Sequence, residues 1–310
     1  MDVSIIIVNY NTKDLIKNCI NSIYKHTKDV DFEIIVSDNG SVDGSIEMIK
    51  SEFPNVILIE NNANLGFGAA NNRGLKIAKG KYIFYLNSDT VLLNNAVKYF
   101  FDYWEKSPEK DEIGALGSNL LDENGKVIHS YGKFLSINNE IYTTLKVLFN
   151  ITKFTILNVF FNKPIPKCIS TISEEKKHIG TVDYITGADL FLKKSQDSKF
   201  DESFFMYCEE TDLQYKISEK NLKRIIIDKP SIIHLCGASS SNKKQVDRIT
   251  YFATFSSVQY YLSRLIYFKN RKENNIKIYF LKILTHLIWL NPYIYKSVKK
   301  YIHHNKVTSY

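Results

Sequence analysis

The alternation of apolar runs with helical patterns in the first 90 residues limits the possible folds more than any other feature of the chain. Four runs have the length and β-branched or aromatic content of strands buried on both faces of a sheet: Ser4–Val8, Phe32–Val36, Val56–Glu60 and Tyr82–Leu86. Helical patterns separate them, the first from about Thr12 to Tyr24. This βαβαβαβ order predicts an α/β fold with a doubly wound, mostly parallel central sheet and helices on both faces.

The rest of the chain is less regular. A strand and a turn at 122–125 are predicted between residue 113 and about residue 128, and ordered structure returns at 182–192. Short strands are predicted at 225–227 and 231–233, and helices at 90–103, 209–221 and beyond residue 247. Residues from about 130 to 178 show no clear period and are interpreted as a variable insertion or flap. We expect no membrane-spanning segment, because no uninterrupted apolar stretch reaches about 18 residues.

Composition excludes a few classes of function. The 310 residues carry a net charge of +8, which favours anionic ligands, yet the basic residues are not interleaved with aromatic ones as in nucleic-acid-binding surfaces. The four cysteines stand alone, so we expect neither a zinc site nor a disulfide framework, and Cys19 and Cys208 are predicted to be buried. No signal-peptide pattern precedes the first strand, and a cytoplasmic location is expected.

Three polar loops follow predicted parallel strands, at Asp38, at 64–72 and at 87–89. Loops after parallel strands converge on one edge of the sheet, so their side chains can share a ligand. Asp89 can hold a divalent cation and, through it, the phosphates of a nucleotide. Alternatively, Asn87 or Asp89 caps the next helix, and Asp38 either accepts a hydrogen bond from a nucleobase or caps a helix together with Asp43. The glycines near Gly66 allow close backbone approach, but they do not form a dinucleotide fingerprint.

Two features of the second half add chemistry. Glu209, Glu210 and Asp212 cluster at the start of a predicted helix, where they are either a functional carboxylate group with raised pKa values or solvated first-turn charges. His234 follows an apolar strand and is either a core histidine or a metal ligand. Together, Asp89 and His234 would offer one oxygen and one nitrogen ligand to Mn²⁺ or Mg²⁺.

Six ordered motifs resemble the inverting family 2 glycosyltransferases of GT-A fold, and most closely their rhamnosyltransferase-like bacterial branch. The motifs cover roughly residues 3–240: Ser4–Asn11, Asp38–Ser41, Asn64–Asn71, Leu86–Asp89, Ile185–Asp189 with Phe205–Leu213, and His234–Gly237. The resemblance implies a GT-A domain over 1–240 and a helical region over 241–310. Within the domain, residues 1–110 would bind a nucleotide sugar, and 111–240 would hold the acceptor and the catalytic groups.

The resemblance also implies roles for single residues. Asp89 and His234 would bind Mn²⁺ or Mg²⁺, although Asn87 stands where the family has a first aspartate. The donor, a UDP- or dTDP-sugar with rhamnose as the leading sugar, would contact ten residues: Asn9, Tyr10, Asn11, Asp38, Asn39, Asn64, Gly66, Asn71, Asn87 and Ser88. Glu210 would be the catalytic base, with Glu209 and Asp212 as the alternatives. The loop Gly187-Ala188-Asp189 would face a glycan or lipid-linked acceptor used in capsule or O-antigen synthesis.

The sequence disfavours two other classes of enzyme. Residues 9–14 lack the glycine fingerprint of a nicotinamide-dependent oxidoreductase and the basic, glycine-rich loop of a nucleotidyltransferase. A catalytically inactive sugar-nucleotide or polysaccharide-binding module on the same fold is the main alternative. The apolar and lysine-containing segment 276–290 would contact a membrane peripherally, pack on the catalytic domain or form a dimer. In the first case the protein would work on the inner face of the plasma membrane.

Overall fold

The computed structural model describes residues 1–167, 175–235 and 247–304. Within them the chain forms two compact units. The sheet unit comprises residues 1–134, 175–202 and 209–235, and the helical unit comprises 135–167, 203–208 and 247–304. The sequence placed the boundary near residue 240. In the structure the helical unit also takes residues 135–167 and 203–208 out of the predicted catalytic domain.

The sheet unit contains twelve strands. The first six are β1 (Val3–Asn9), β2 (Phe32–Asp38), β3 (Ile57–Glu60), β4 (Tyr82–Asn87), β5 (Thr90–Leu92) and β6 (Ile113–Ser118). The others are β7 (Tyr131–Gly132), β8 (Gly180–Val182), β9 (Tyr184–Ile185), β10 (Asp189–Lys193), β11 (Lys223–Ile227) and β12 (Ile232–His234). Eight of them form the central sheet in the order β3-β2-β1-β4-β10-β6-β11-β8.

The central sheet is mixed. Strands β3, β2, β1 and β4 are parallel, β10 runs antiparallel between β4 and β6, and β11 is parallel to β6 and antiparallel to β8. Five helices belong to this unit: α1 (Lys13–His26), α2 (Ser45–Glu52), α3 (Phe67–Ile77), α4 (Ala96–Lys106) and, after α5 of the helical unit, α6 (Glu209–Ser218). The predicted α/β fold with its βαβαβαβ start is confirmed.

Alternate strand residues bury opposite faces of the sheet. Ile5 and Ile7 pack in one core with α1, α2 and α4, whereas Ile6 packs in a second core with α3 and α6. Both faces are therefore covered, because side chains alternate along a strand and each set needs an apolar partner. Cys19 lies in the first core, where burial raises the pKa of its thiol to about 12. Cys208 is buried as expected, while Cys168 and Cys236 lie outside the described residues.

Three local predictions are wrong. The helix predicted to start at Thr90 starts at Ala96, because 90–92 pairs as β5 with β12. The loop predicted at 64–72 becomes helical at Phe67, since Gly66 (φ +87°) turns the chain into α3. Residues 130–178 contain the long helix α5 (Ile137–Phe161) rather than an irregular flap. The predicted turn at 122–125 is confirmed, with Gly125 N–H donating to the Asp122 carbonyl.

The helical unit consists of α5, α7 (Phe255–Asn270), α8 (Asn275–Trp289) and α9 (Tyr295–His304). The helices predicted beyond residue 247 are confirmed. A buried ion pair joins the unit internally: Arg264 on α7 lies 2.8 Å from a carboxylate oxygen of Glu140 on α5. Within the described part of the chain, α5 is the one helix whose length and composition suffice to cross a membrane. The expectation of no such segment overlooked it, because Asn, Thr and Lys interrupt its apolar residues.

Candidate active site

Asp38 shapes the first polar loop at the carboxyl edge of the sheet. Its Oδ1 accepts hydrogen bonds from the N–H groups of Gly40 (3.0 Å) and Ser41 (2.8 Å), and its Oδ2 accepts one from Asn9 Nδ2 (2.7 Å). Asp38 and Asn9 are fully buried, so the carboxylate holds the ends of β1 and β2 together. Asp43, not Asp38, accepts from Ser45 N–H at the start of α2. Direct contact between Asp38 and a nucleobase stays a prediction.

The exposed rim of this loop is formed by Tyr10 and Asn11. Asn11 donates its N–H to Ser41 Oγ (2.9 Å), and its side-chain oxygen accepts from Val42 N–H (2.8 Å). Thr12, which the sequence analysis did not select, donates its hydroxyl to Asn9 Oδ1 (2.6 Å) and lies 3.1 Å from Ser88 Oγ. The first and third polar loops are thus in contact, as the convergence of parallel strands predicts.

The second polar loop joins the same edge through amides. Asn39 Nδ2 donates to the Gly66 carbonyl (3.1 Å) and approaches Asn64 Oδ1 (3.3 Å), while Asn64 Oδ1 accepts from Gly66 N–H. Asn71 is buried and donates to the Phe67 carbonyl one turn earlier in α3, so its side chain is occupied within the helix. The position of Asn71 therefore does not favour the predicted contact between its side chain and the nucleotide sugar. The neighbouring Asn72 binds the Phe200 backbone instead.

Asp89 and His234 come together as the sequence predicted. Strand β12 pairs with β5 so that His234 lies opposite Thr90, and Leu235 N–H donates to the Asp89 carbonyl. His234 Nε2 is 3.2 Å from Asp89 Oδ1 and 3.5 Å from Asn87 Nδ2. Two adjacent ligands of an octahedral Mg²⁺ or Mn²⁺ lie about 3 Å apart, so this spacing fits such an ion. Among the described residues no third histidine, cysteine or acidic side chain completes a cluster.

The loop 186–188 connects this pair to the acidic start of α6. Asn87 N–H donates to the Ala188 carbonyl (3.1 Å), and a Cβ placed on Gly187 would lie 3.7 Å from the Glu210 Cβ. Gln214, one turn after Glu210, fixes this arrangement by accepting from Ile185 N–H and donating to the Ile185 carbonyl. The sequence pattern that could have identified Gln214 is its position four residues after Glu210, which places both side chains on the same side of the helix.

The three acids of α6 have different surroundings. Burial raises the pKa of Glu209 well above its usual range, and the nearby charge of Glu210 raises it further. Burial also raises the pKa of Glu210, against the opposing effects of backbone N–H groups and of His129. Asp212 is fully buried and forms an ion pair with Lys216 (2.7 Å). Asp212 therefore serves the structure of the helix, and Glu210, only half-buried, is the acid that a ligand can reach.

Two backbone conformations precede these acids. Tyr207 and Cys208 both have positive φ, +70° and +64°, which is uncommon for residues other than glycine. Such conformations cost about 1–3 kcal/mol each and concentrate at functional sites. They end the preceding segment abruptly, so that α6 begins at Glu209.

The structure does not favour the predicted acceptor role of Ala188 and Asp189. Ala188 and Asp189 are buried, and Asp189 is the first residue of β10 inside the central sheet. Its Oδ2 accepts from the N–H and hydroxyl of Ser118 (2.7 and 2.6 Å). Burial raises the pKa of Asp189 to about 7. Only Gly187 of this motif is partly exposed, so it is the residue left to face an acceptor.

Comparison with known proteins agrees with the fold. Residues 4–169 match the sequence profile described as Glycosyl transferase family 2. The chain is 35% identical over 121 residues to a poly(ribitol-phosphate) beta-glucosyltransferase of Bacillus spizizenii, covering 37% of this chain and only 19% of that relative. It is 39% identical over 122 residues to the Escherichia coli UDP-Glc:alpha-D-GlcNAc-diphosphoundecaprenol beta-1,3-glucosyltransferase WfaP, covering 36% of this chain and 48% of the relative.

A longer alignment and two solved structures extend the comparison. An uncharacterized glycosyltransferase of Methanocaldococcus jannaschii is 29% identical over 81% of this chain and 83% of its own. The mannosyltransferase PcManGT of Pyrobaculum calidifontis, solved with GDP-Man and Mn²⁺, has a TM-score of 0.53 at 13% identity, over 99% of this chain and 76% of that one. S. aureus TarS 1-349, solved with UDP-GlcNAc, has a TM-score of 0.51 at 12% identity, over 93% and 73%.

Proposed function

Because the chain belongs to glycosyl transferase family 2, we propose that it transfers a hexose from a nucleoside diphosphate sugar to a cell-surface glycan or lipid-linked acceptor, with inversion at the anomeric carbon. The observation that carries the proposal is the position of loop 186–188. This loop binds Asn87 through the Ala188 carbonyl, and its Gly187 lies beside Glu210, where an added Cβ would be 3.7 Å from the Glu210 Cβ. The diphosphate of a donor bound at Asp89 and the hydroxyl of an acceptor bound near Glu210 would therefore lie close together beside this loop.

The donor would lie along the three polar loops. The rim residues Tyr10 and Asn11 and the amides of Asn39 and Asn64 would surround the nucleoside, since they lie at the edge where the parallel strands end. Asp38 and Asn9 would support that pocket from below through their buried hydrogen bonds. Asn87 and Ser88 would lie beside the ribose and phosphates.

We further propose that Asp89 and His234 hold Mn²⁺ or Mg²⁺ together with the diphosphate oxygens. The 3.2 Å spacing between Asp89 Oδ1 and His234 Nε2 supports this assignment. A divalent ion held there offsets negative charge on the departing diphosphate. With the neutral Asn87 beside them, the two side chains supply a single negative charge, so affinity for the ion would depend strongly on the bound donor.

Glu210 would act as the general base. It would take the proton from the acceptor hydroxyl as that oxygen attacks the anomeric carbon, and the bond from that carbon to the diphosphate oxygen would break on the opposite side. The raised pKa of Glu210 makes its ionised form a stronger base than an exposed glutamate. Glu209 is more deeply buried beside it, and the charge of Glu210 helps to raise the pKa of Glu209 and so favours its neutral form.

The donor is proposed to be a UDP-hexose. Rhamnose was the sugar expected from the sequence, but the B. spizizenii and E. coli relatives are glucosyltransferases, and neither the family nor these two relatives support a rhamnosyl donor. The diphosphoundecaprenol acceptor in the name of the E. coli relative supports a lipid-linked acceptor for this chain. We accordingly propose a cytoplasmic protein working at the inner face of the plasma membrane.

Transfer and hydrolysis assays test this function. Purified protein is incubated with UDP-glucose, UDP-GlcNAc and dTDP-rhamnose, each with Mn²⁺, with Mg²⁺ and with chelator, and release of the nucleoside diphosphate is measured. We expect metal-dependent release from one UDP-sugar. Tight donor binding with no release, even with lipid-linked acceptors added, would instead favour the inactive binding module.

A further inference from the structure

Helix α5 exposes an apolar stripe on the outside of the helical unit. Leu145, Phe149, Ile156 and Phe160 are all exposed and follow each other at intervals of four or seven residues. That spacing places them on one side of an α-helix. The residues that α5 buries, among them Glu140, Thr144 and Ile151, lie on the opposite side. Phe149 is nine residues from Glu140, which corresponds to a rotation of about 180°.

Helix α8 has the same arrangement. Ile276, Phe280, Ile283 and Leu287 are exposed on one side, while Leu281, Thr285 and Ile288 are buried on the other. Surface helices of globular proteins turn their apolar stripe to the core. Here each helix has an apolar stripe on its outer side in addition to the face that it buries.

The two stripes lie on the same side of the unit. Arg264 of α7 donates to Glu140 and Thr144 on α5 and to Thr285 on α8, so α7 packs under both helices. The helices run side by side in one direction, joined by Lys277 Nζ to Asn138 Oδ1 (2.9 Å) near their starts and by Asn291 Nδ2 to Thr155 Oγ1 (2.8 Å) near their ends. The sides turned away from α7 therefore form one surface, which we call the α5–α8 face.

The exposed charges on these two helices are all positive. Lys146, Lys153, Lys277 and Lys282 are exposed along them. Glu140, the single carboxylate within residues 137–161 and 275–289, is paired with Arg264. An apolar surface with aromatic residues and a lysine border complements an anionic lipid bilayer, where apolar groups enter the acyl boundary and ammonium groups meet phosphate.

We propose that the α5–α8 face lies in the interface of an anionic bilayer, with both helices parallel to the membrane plane. A spanning position of α5 is disfavoured, because it would pull Glu140 away from the buried Arg264 and separate α5 from α8. The inference extends the membrane contact predicted for residues 276–290 to α5, which the sequence analysis had interpreted as part of a flap. It does not depend on the sugar-transfer site.

Vesicle binding tests the inference without any sugar nucleotide. The full chain is centrifuged with sucrose-loaded vesicles of phosphatidylcholine alone or of equimolar phosphatidylcholine and phosphatidylglycerol. We expect binding to the anionic vesicles that falls at about 0.5 M NaCl and is reversed by alkaline carbonate. Phe149→Glu with Leu287→Glu, at side chains 69% and 45% exposed, is expected to weaken binding by about tenfold or more.

Two comparison variants keep the test decisive. Tyr103→Glu with Ile77→Glu changes an aromatic and an aliphatic residue 40% and 41% exposed on the sheet unit, and this variant should bind vesicles like the parent. Lys153→Glu with Lys282→Glu should lose the preference for anionic lipid. Each variant is first shown to keep the parent's circular dichroism spectrum and melting temperature.

Several outcomes would overturn the proposal. One is equal binding of parent and Phe149/Leu287 variant, and another is no binding at all. Binding that resists carbonate would indicate a spanning helix. A dimer in light scattering that the Phe149/Leu287 variant converts to monomer, without vesicle binding, would assign the face to a second copy of the chain.

Discussion

Glu210 combines a raised pKa with a position that a ligand can reach. It follows two residues with positive φ, and Gln214 holds its helix against the loop that also contacts Asn87. We expect Glu210→Gln to lower turnover by about 10²- to 10⁴-fold, because the amide cannot accept the acceptor's proton. Donor affinity should stay within about threefold, since the change is isosteric and the diphosphate lies at Asp89. Steady-state kinetics and calorimetry measure the two effects.

Glu219→Gln is the matched control for the Glu210→Gln variant. Glu219→Gln changes an exposed glutamate just after the same helix and should leave turnover unchanged. If Glu210→Gln retained normal turnover, the base would have to be sought elsewhere, with Glu209 next in line. Loss of donor binding together with turnover would indicate a structural role instead.

Asp189 makes stability depend on pH in an unusual direction. Its pKa of about 7 in the folded protein lies above the value of about 3.9 in an unfolded chain, because burial disfavours the charged form. The folded state then holds the proton more tightly than the unfolded state. The contribution of Asp189 to the free energy of unfolding is therefore complete below about pH 4 and is lost as the pH rises towards 7. The expected slope approaches about 1.4 kcal/mol per pH unit within that window.

Asp189→Asn isolates this effect, because the side chain stays neutral at every pH. The oxygen that accepts from Ser118 can be kept, and the free energy of unfolding should vary less between pH 5 and 8 than in the parent. Urea unfolding across this range measures the difference. Identical pH dependence of the two proteins would show that Asp189 titrates as an exposed carboxylate.

The structural roles of some site residues could be predicted from the sequence, and those of others could not. Asp89 and His234 were predictable as a pair, because each follows a recognisable apolar strand. The buried roles of Asp38, Asn71 and Asp189 were not, since their hydrogen-bond partners Asn9, Phe67 and Ser118 become neighbours only through strand pairing and helix formation. The convergence of the polar loops at one edge of the sheet was predictable, while the direction of each side chain depended on tertiary contacts.

Among the elements, the strands and helices of the first 90 residues were predictable from their periodicity. Strand β5 was not, because three residues carry little signal and their pairing partner β12 lies 140 residues later in the chain. Helix α5 was missed for a different reason. Apolar residues occupy both its buried and its exposed side, so the pattern has no single polar face by which a surface helix is recognised.

The helices of the helical unit are joined by Arg264, and its removal is expected to be costly. Arg264→Met leaves the Glu140 carboxylate buried without its partner, which costs about 3–5 kcal/mol. Adding Glu140→Leu should restore much of that loss, because Thr144 and Thr285 keep hydrogen bonds to their own helices. A double-mutant cycle by urea denaturation measures the coupling.

Lys277→Met provides the control for that cycle, because it removes an exposed lysine of α8 that donates to Asn138 on α5. Its effect should stay within about 0.5 kcal/mol. Additive effects of the Arg264 and Glu140 changes would contradict a buried, coupled ion pair.

At the scale of the whole molecule, the α/β fold and its family followed from the ordered motifs, whereas the division into units did not. Residues 135–167 and 203–208 join the C-terminal helices, and such long-range packing leaves little trace in local patterns. The net charge of +8 fits both an anionic donor and an anionic membrane, and it could not distinguish them from sequence.

Asp89 and His234 are proposed to bind the donor through a divalent ion. Calorimetry of UDP-glucose and UDP-GlcNAc binding, with Mn²⁺ and then with chelator, tests it most directly in the parent and in His234→Ala. We predict donor binding that weakens by at least about tenfold on chelation and that becomes nearly metal-independent in the variant. Donor binding of equal strength with and without metal, in both proteins, would contradict the account.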